Sequence, residues 1–130
     1  MSKRNQKVRD INGVVLLDKA SGSSSNHVLQ QVKRLFGANK AGHTGSLDPL
    51  ASGLLPICLG QATKVAQFLL DGDKRYFVRA KFGQVSSTGD SEGKIVNFGS
   101  TKGVDESSIR ATLLKFIGDI NQVPPMYSAL

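Results

Sequence analysis

A mixed α/β (α+β) domain, with a sheet holding both strand orientations, is the fold class that this sequence of 130 residues predicts. Three observations lead there. Short apolar runs of strand length alternate with segments whose apolar residues recur at helical spacing. Glycine, proline and polar clusters punctuate the chain between those runs. Apolar residues make up 39% and charged residues 21%, which allows a core and excludes wholesale disorder. A domain spans roughly 100–200 residues, so the length suits one.

Residues 1–10 read as a basic, flexible arm, with Lys3, Arg4, Lys7 and Arg9 against Asp10. Ordered structure is expected from Ile11. Val14, Val15, Leu16 and Leu17 suit a strand buried on both faces. Asp18 to Gly22 form a loop, and Ser23, Ser24, Ser25 and Asn26 offer N-cap oxygens for a helix. Its apolar stripe is Val28, Val32, Leu35 and Phe36, with Gly37 as the C-cap. Residues 39–53 carry Gly42, Gly45, Gly53 and Pro49 without periodicity and read as one long loop. Leu54 to Leu59 form a second buried strand, and Gln61 to Leu70 a short helix facing Val65, Phe68 and Leu69 inward.

After a turn at Asp71 to Asp73, residues 75–82 alternate. Tyr76, Val78, Ala80 and Phe82 share one face; Arg75, Phe77, Arg79 and Lys81 share the other, which predicts a strand with a basic outer face. Lys94 to Phe98 is its expected hairpin partner. Asp105 or Ser107 caps a last helix bearing Ile109, Leu113, Leu114, Phe116 and Ile117, and residues 121–130 should be extended.

With 17 Lys+Arg against 10 Asp+Glu, the formal charge of +7 points to an anionic partner, nucleic acid first. No apolar stretch approaches the roughly 20 residues that span a bilayer, and no signal core follows the basic N-terminus, so a cytoplasmic protein without a membrane partner is expected. A single cysteine, Cys58, excludes an intramolecular disulfide and a multi-cysteine zinc site.

The chemistry-bearing segment is Gly42-His43-Thr44-Gly45-Ser46-Leu47-Asp48-Pro49-Leu50-Ala51-Ser52-Gly53. Asp48 stands between apolar neighbours that would partly desolvate its carboxylate, beside a rigid proline. Such a group can act as nucleophile or general base. The same Asp-Pro pair also suits an ordinary turn. His43, with only His27 as a companion, is a poor metal ligand and by itself reads as a hydrogen-bonded structural or surface residue. The glycine spacing matches neither phosphate-loop pattern.

This segment resembles the catalytic motif of the tRNA pseudouridine synthase B (TruB) family, in its bacterial form. The resemblance continues through Leu55-Pro56-Ile57-Cys58-Leu59-Gly60 and Ala62-Thr63-Lys64. Upstream it takes in Asn12-Gly13, Asp18-Lys19, Gly22 and Ser24-Ser25. Downstream it takes in Asp73-Lys74-Arg75-Tyr76, Thr88-Gly89-Asp90, Gly93 and Val123-Pro124-Pro125-Met126-Tyr127-Ser128-Ala129-Leu130. Ala20 stands where the family usually has proline.

The resemblance implies a pseudouridine synthase fold: a mixed, mainly antiparallel sheet flanked by helices, incomplete in this chain. Residues 11–130 would be the N-terminal portion of the catalytic domain. It implies isomerisation of the T-loop uridine at position 55 of tRNA, after base flipping, with no metal and no cofactor. Asp48 would be catalytic, as nucleophile at C1′ or as base on the ribose. Tyr76 would stack on the flipped base, and His43 would fill the space the base leaves. Lys19 would contact RNA or support the loop, and Lys64, Lys74 and Arg75 are candidate phosphate contacts. The family pairs its aspartate with an arginine from sequence that follows the last matched block. A complementary polypeptide supplying that part is therefore a possible partner, and the 130-residue chain alone is expected to have little or no synthase activity. A non-catalytic RNA-binding module is the alternative that the composition also permits.

Overall fold

The computed structural model describes residues 8–121 and 123. Residues 1–7 of the expected arm and the block at 124–130 lie outside the described residues. The chain divides into two compact units, Met1–Arg75 and Tyr76–Leu130.

The first unit is a three-stranded antiparallel sheet covered on one face by a helix. Strand β1 (Gly13–Lys19) and strand β2 (Ala41–His43) flank the central β3 (Gly53–Leu59), in the order β1-β3-β2. The register places Val15 opposite Ile57 and Leu17 opposite Leu55. These side chains therefore share one face, and helix α1 (Ser25–Phe36) lays Leu29 and Val32 on it, with Phe36 partly buried beside them. The opposite face of β1 is open, with Leu16 70% exposed. The expectation of a strand buried on both faces is thus corrected: β1 alternates, because one face alone receives the helix.

α1 begins where Ser24 accepts the His27 N–H at 3.2 Å. It ends at Gly37, whose φ of 64° lets its own N–H reach the Arg34 carbonyl and the Ala38 N–H reach that of Lys33. Its buried stripe is Ser25, Leu29 and Val32 rather than one that includes Leu35. At 100° per residue Leu35 stands about 90° round from that stripe, and it is 76% exposed.

The long loop expected over 39–53 contains β2, whose three residues pair with the end of β3. Pro56 sits inside the central strand, where proline is normally excluded. Its carbonyl accepts the Thr44 N–H at 3.1 Å, so its missing N–H faces the point where β2 has already ended.

The helix expected over 61–70 is broken. A 3-10 turn (Gly60–Lys64) stops at Val65 (φ −97°, ψ 0°), and the five-residue helix α2 (Ala66–Leu70) follows. Val65, Phe68 and Leu69 are exposed, not inward. The break starts at Gly60, whose φ is +58° and whose N–H donates to the Lys40 carbonyl at 2.8 Å. A Cβ there would fall 2.3 Å from the Ile11 carbonyl oxygen, so only glycine fits.

In the second unit, the strand expected over 75–82 is absent. That segment runs without a ladder partner among the described residues, and Tyr76, Val78 and Phe82 are exposed. Alternation sets which side chains share a face; it does not supply the neighbouring strand whose hydrogen bonds define one. The hairpin is instead β4 (Gln84–Ser86) with β5 (Ile95–Asn97), so the Lys94–Phe98 expectation holds with a different partner. Helix α3 (Glu106–Leu113) starts at Asp105 as expected. The carboxylate accepts the Ser108 N–H at 2.8 Å and the Ser107 hydroxyl at 2.9 Å. These bonds hold the Asp105 carboxyl below its ordinary range. Both sheets are antiparallel; the parallel pairing found among the described residues is the isolated bridge between Arg9 and Ala38.

Gly60→Ala should destabilise the first unit by about 2 kcal/mol or more, through a left-handed backbone and overpacking. The check is labelling of Cys58, which is fully buried and whose thiol burial pushes up; it should react only on unfolding, and at lower urea in the variant. In the second unit, a carboxyl lowered in the folded state contributes stability above its unfolded value and loses it as the pH falls through the folded one. Helical circular dichroism from α3 should therefore fall on acidification below about pH 4, and Asp105→Ala should remove that dependence.

Candidate functional site

The loop between β2 and β3 carries Asp48, and its neighbours on both sides are tied to other elements. Ser25, the first residue of α1, donates its hydroxyl to the Leu47 carbonyl at 2.9 Å and accepts the Leu47 N–H at 2.8 Å. On the other side the Pro49 carbonyl accepts the Gly22 N–H at 2.7 Å and faces Lys19 Nζ at 3.5 Å. The Asp48 carbonyl closes the turn by accepting the Ala51 N–H at 3.0 Å. Asp48 therefore has a braced backbone and an exposed side chain. The expected desolvation by Leu47 and Leu50 does not occur: Leu47 packs against the core while Asp48 and Leu50 stay in solvent.

Lys19 ends β1 and is 1% exposed. Its Nζ donates to the carbonyls of Ser23 at 2.8 Å and Ala20 at 3.1 Å, besides the Pro49 contact. An ammonium carries three donors, and these carbonyls account for all three. Of the two roles expected for Lys19, the geometry matches loop support and leaves no donor turned toward an RNA.

His43 is half-buried at the end of β2, opposite Ile57, five residues before Asp48. Lys74 is exposed, and its Nζ donates to the carbonyls of Leu70 and, at 3.0 Å, Gly72, so it closes its own turn. Its Cε lies 3.9 Å from the position of a Cβ on Gly45, which sets its stem beside the Asp48 loop. Arg75 is exposed at the end of the first unit. Lys64 is exposed at the other end of the sheet, where β3 finishes. Tyr76 opens the second unit and is 62% exposed.

The fold thus gathers Asp48, Lys19 and the Lys74 stem at one end of the first unit, places His43 at the end of β2 opposite Ile57, and sets Lys64 apart. Sequence reasoning missed Ser25 as a brace. It stands among four consecutive N-cap candidates, and the pattern alone does not tell that Ser24 caps the helix while Ser25 reaches the loop. Among the described residues no helix is long and apolar enough to cross a membrane, and no group of three or more His, Cys, Asp or Glu converges.

The brace yields a prediction. Lys19→Met keeps the stem but leaves the Ser23 and Ala20 carbonyls without their donor, at a cost of about 1–3 kcal/mol. Amide exchange at Gly22 and Leu47 should accelerate relative to Ile57 in the same sheet. Equal protection at all three would show that Lys19 does not hold the loop.

Residues 33–130 match the model of the TruB family pseudouridylate synthase N-terminal domain. The tRNA pseudouridine synthase B of Actinobacillus pleuropneumoniae is 60% identical over 130 residues, and that of Saccharophagus degradans is 54% identical. Each comparison covers 100% of this chain and 42% of the relative, so the chain spans less than half the length of these proteins. Among solved structures, an H/ACA RNP bound to a substrate RNA containing 2′-deoxyuridine holds a chain 32% identical, with a TM-score of 0.59 over 86% of this chain and 30% of that one. A Cbf5-Nop10-Gar1 complex holds one 29% identical, with a TM-score of 0.59 over 93% and 31%. With the mixed α/β architecture and the braced aspartate loop in place, the family match over residues 33–130 identifies the chain as a member of the TruB family of pseudouridylate synthases.

Proposed function

We propose that this chain is the N-terminal part of the catalytic domain of a tRNA pseudouridine synthase acting on the T-loop uridine, and that Asp48 is its catalytic residue. The observation that carries the reading is the Asp48 loop: a solvent-facing carboxylate on a backbone held from both sides, within the stretch that matches the family. Preorganisation of this kind places a reacting group without a reorganisation cost at the moment of reaction.

The reaction is an isomerisation. The C1′–N1 bond breaks, the base turns, and a C1′–C5 bond forms. C5 loses a proton and N1 gains one, so the composition of the nucleotide is unchanged. Asp48 serves as nucleophile at C1′ or as base on the ribose, and a carboxylate on a fixed backbone suits both. The uridine must first leave its stack, at a cost of a few kcal/mol that aromatic stacking and phosphate contacts offset. Tyr76, exposed and aromatic, is the proposed platform for the flipped base. His43 is assigned to the space it vacates, and Arg75 and the Lys74 stem to the nearby backbone. Lys19 is assigned to positioning Asp48 through Pro49. The partner is the T stem-loop of tRNA, the location is the cytoplasm, and the arginine that pairs with the aspartate comes from the rest of the domain.

The test is a chimera in which residues 1–130 replace the aligned portion of the Actinobacillus pleuropneumoniae protein. It should form pseudouridine in a T stem-loop RNA. Asp48→Asn should abolish turnover while RNA affinity stays within about twofold, since one buried hydrogen bond of the ground state is not at stake. The 130-residue chain alone should show little or no turnover. Undiminished turnover by the Asp48→Asn chimera would refute the assignment. Binding without any turnover in the unsubstituted chimera would favour the RNA-binding module.

A further inference from the structure

The Asp48 side chain is exposed, so the backbone on either side decides where its carboxylate sits. On the C-terminal side Pro49 limits the choice, because its ring disfavours helical backbone at the residue before it. The Asp48 and Pro49 carbonyls are then tied by the Ala51 N–H at 3.0 Å and the Gly22 N–H at 2.7 Å. On the N-terminal side the constraint comes from one side chain. The Ser25 hydroxyl donates to the Leu47 carbonyl at 2.9 Å and accepts the Leu47 N–H at 2.8 Å. A hydroxyl has one donor and two lone pairs, so a serine can answer both backbone groups of one residue at once. Ser25 is 3% exposed, which keeps water from competing for these bonds.

The Leu47 carbonyl and the Asp48 N–H belong to one planar peptide unit. Holding the carbonyl oxygen therefore sets the plane from which Asp48 leaves. The hold is firm at its other end as well. Ser25 opens α1, which packs Leu29 and Val32 into the core, and the Leu47 side chain packs against that same core. With the plane set before Asp48 and Pro49 after it, the side-chain torsions are the main freedom that remains to the carboxylate. We propose that Ser25 is a positioning residue of the uridine isomerisation: it acts through the Leu47–Asp48 peptide and sets the distance and angle at which the carboxylate meets the ribose. The proposal rests on the reading of Asp48 as the catalytic residue.

This role is separate from helix capping. Ser24 supplies the cap by accepting the His27 N–H at 3.2 Å, whereas Ser25 bonds across 22 residues of chain. It is separate from the Lys19 brace too, which meets the loop after Asp48, at the Pro49 carbonyl. Both Ser25 bonds are internal and its side chain is buried, so no contact with RNA is lost when the hydroxyl is removed. The loss falls on the step in which the carboxylate reacts, and so on kcat rather than KM. A misplacement of about 1 Å is enough to slow such a step on the order of 100-fold.

The test uses the chimera of residues 1–130 with the rest of the Actinobacillus pleuropneumoniae protein, and turnover on a T stem-loop RNA. Ser25→Ala keeps the Ser24 cap and puts a better helix former at the first position of α1, so the helix should persist. It should lower kcat by roughly 10- to 100-fold and leave KM within about twofold. Ser25→Thr keeps the hydroxyl on the same carbon and should return kcat to within about threefold of the unsubstituted chimera. Amide exchange supplies the second readout: in Ser25→Ala the Leu47 N–H, having lost its acceptor, should exchange faster, with Ile57 unchanged. An unchanged kcat in Ser25→Ala would overturn the proposal, whatever the exchange shows. Equal slowing in the Ala and Thr variants, with Cys58 open to labelling in the absence of urea, would mark a merely structural role and overturn it too. An active chimera that is indifferent to Ser25 sinks this inference alone. No turnover in the unsubstituted chimera, or full turnover in its Asp48→Asn form, would sink the catalytic reading and this inference with it.

Discussion

The contact on which the candidate site depends is the buried amine of Lys19. It closes the bend after β1 by holding the carbonyls of Ala20 and Ser23, and it meets the Pro49 carbonyl from a segment 30 residues further on. A bend with unpaired carbonyls would be costly inside a packed unit. With them paired, the end of β1, the entry to α1 and the Asp48 loop become one block. Ser25 strengthens that block from the helix side, because one hydroxyl satisfies both backbone groups of Leu47. The Ser24 cap one residue earlier fixes where α1 starts, and so fixes where Ser25 points.

The central strand relates this block to the rest of the first unit. β3 leaves the Asp48 loop at Gly53 and delivers Gly60 to the opposite end, where the close approach to Ile11 and Asn12 admits no side chain. One face of β3 supplies Leu55, Ile57 and Leu59 to the core. Both ends of the strand are thus anchored by contacts distant in sequence, and the Asp48 loop is held at one end of that rigid element. This is the usual division between a scaffold and the loops that carry chemistry.

Much of the first unit was legible in the sequence because its signals are local. The run Val14 to Leu17, the serines before α1 and Gly37 after it each specify an element without reference to the rest of the chain. What was missed is non-local. β2 is three residues long and exists because β3 offers it an edge. The side chain chosen from the α1 stripe, Leu35 rather than Leu29, depends on which way the helix is rolled against the sheet. The 75–82 segment shows the limit most plainly: its alternation is clean, yet a strand needs a neighbour, and alternation contains no information about one. For the site, motif resemblance marked Asp48, His43 and Lys19 together, but the division of labour between Ser24 and Ser25 required the fold.

The exposure of Asp48 bears on how the proposed chemistry is divided between enzyme and substrate. A carboxylate left in solvent is well hydrated, and hydration blunts both a nucleophile and a base. The first unit supplies a fixed backbone for it and leaves the water in place. Under the proposed function, removal of that water falls to the nucleotide that docks on the loop. In this reading the docked RNA completes the environment of the carboxylate. Positioning is built in through Lys19 and Ser25, while the dry environment arrives with the RNA.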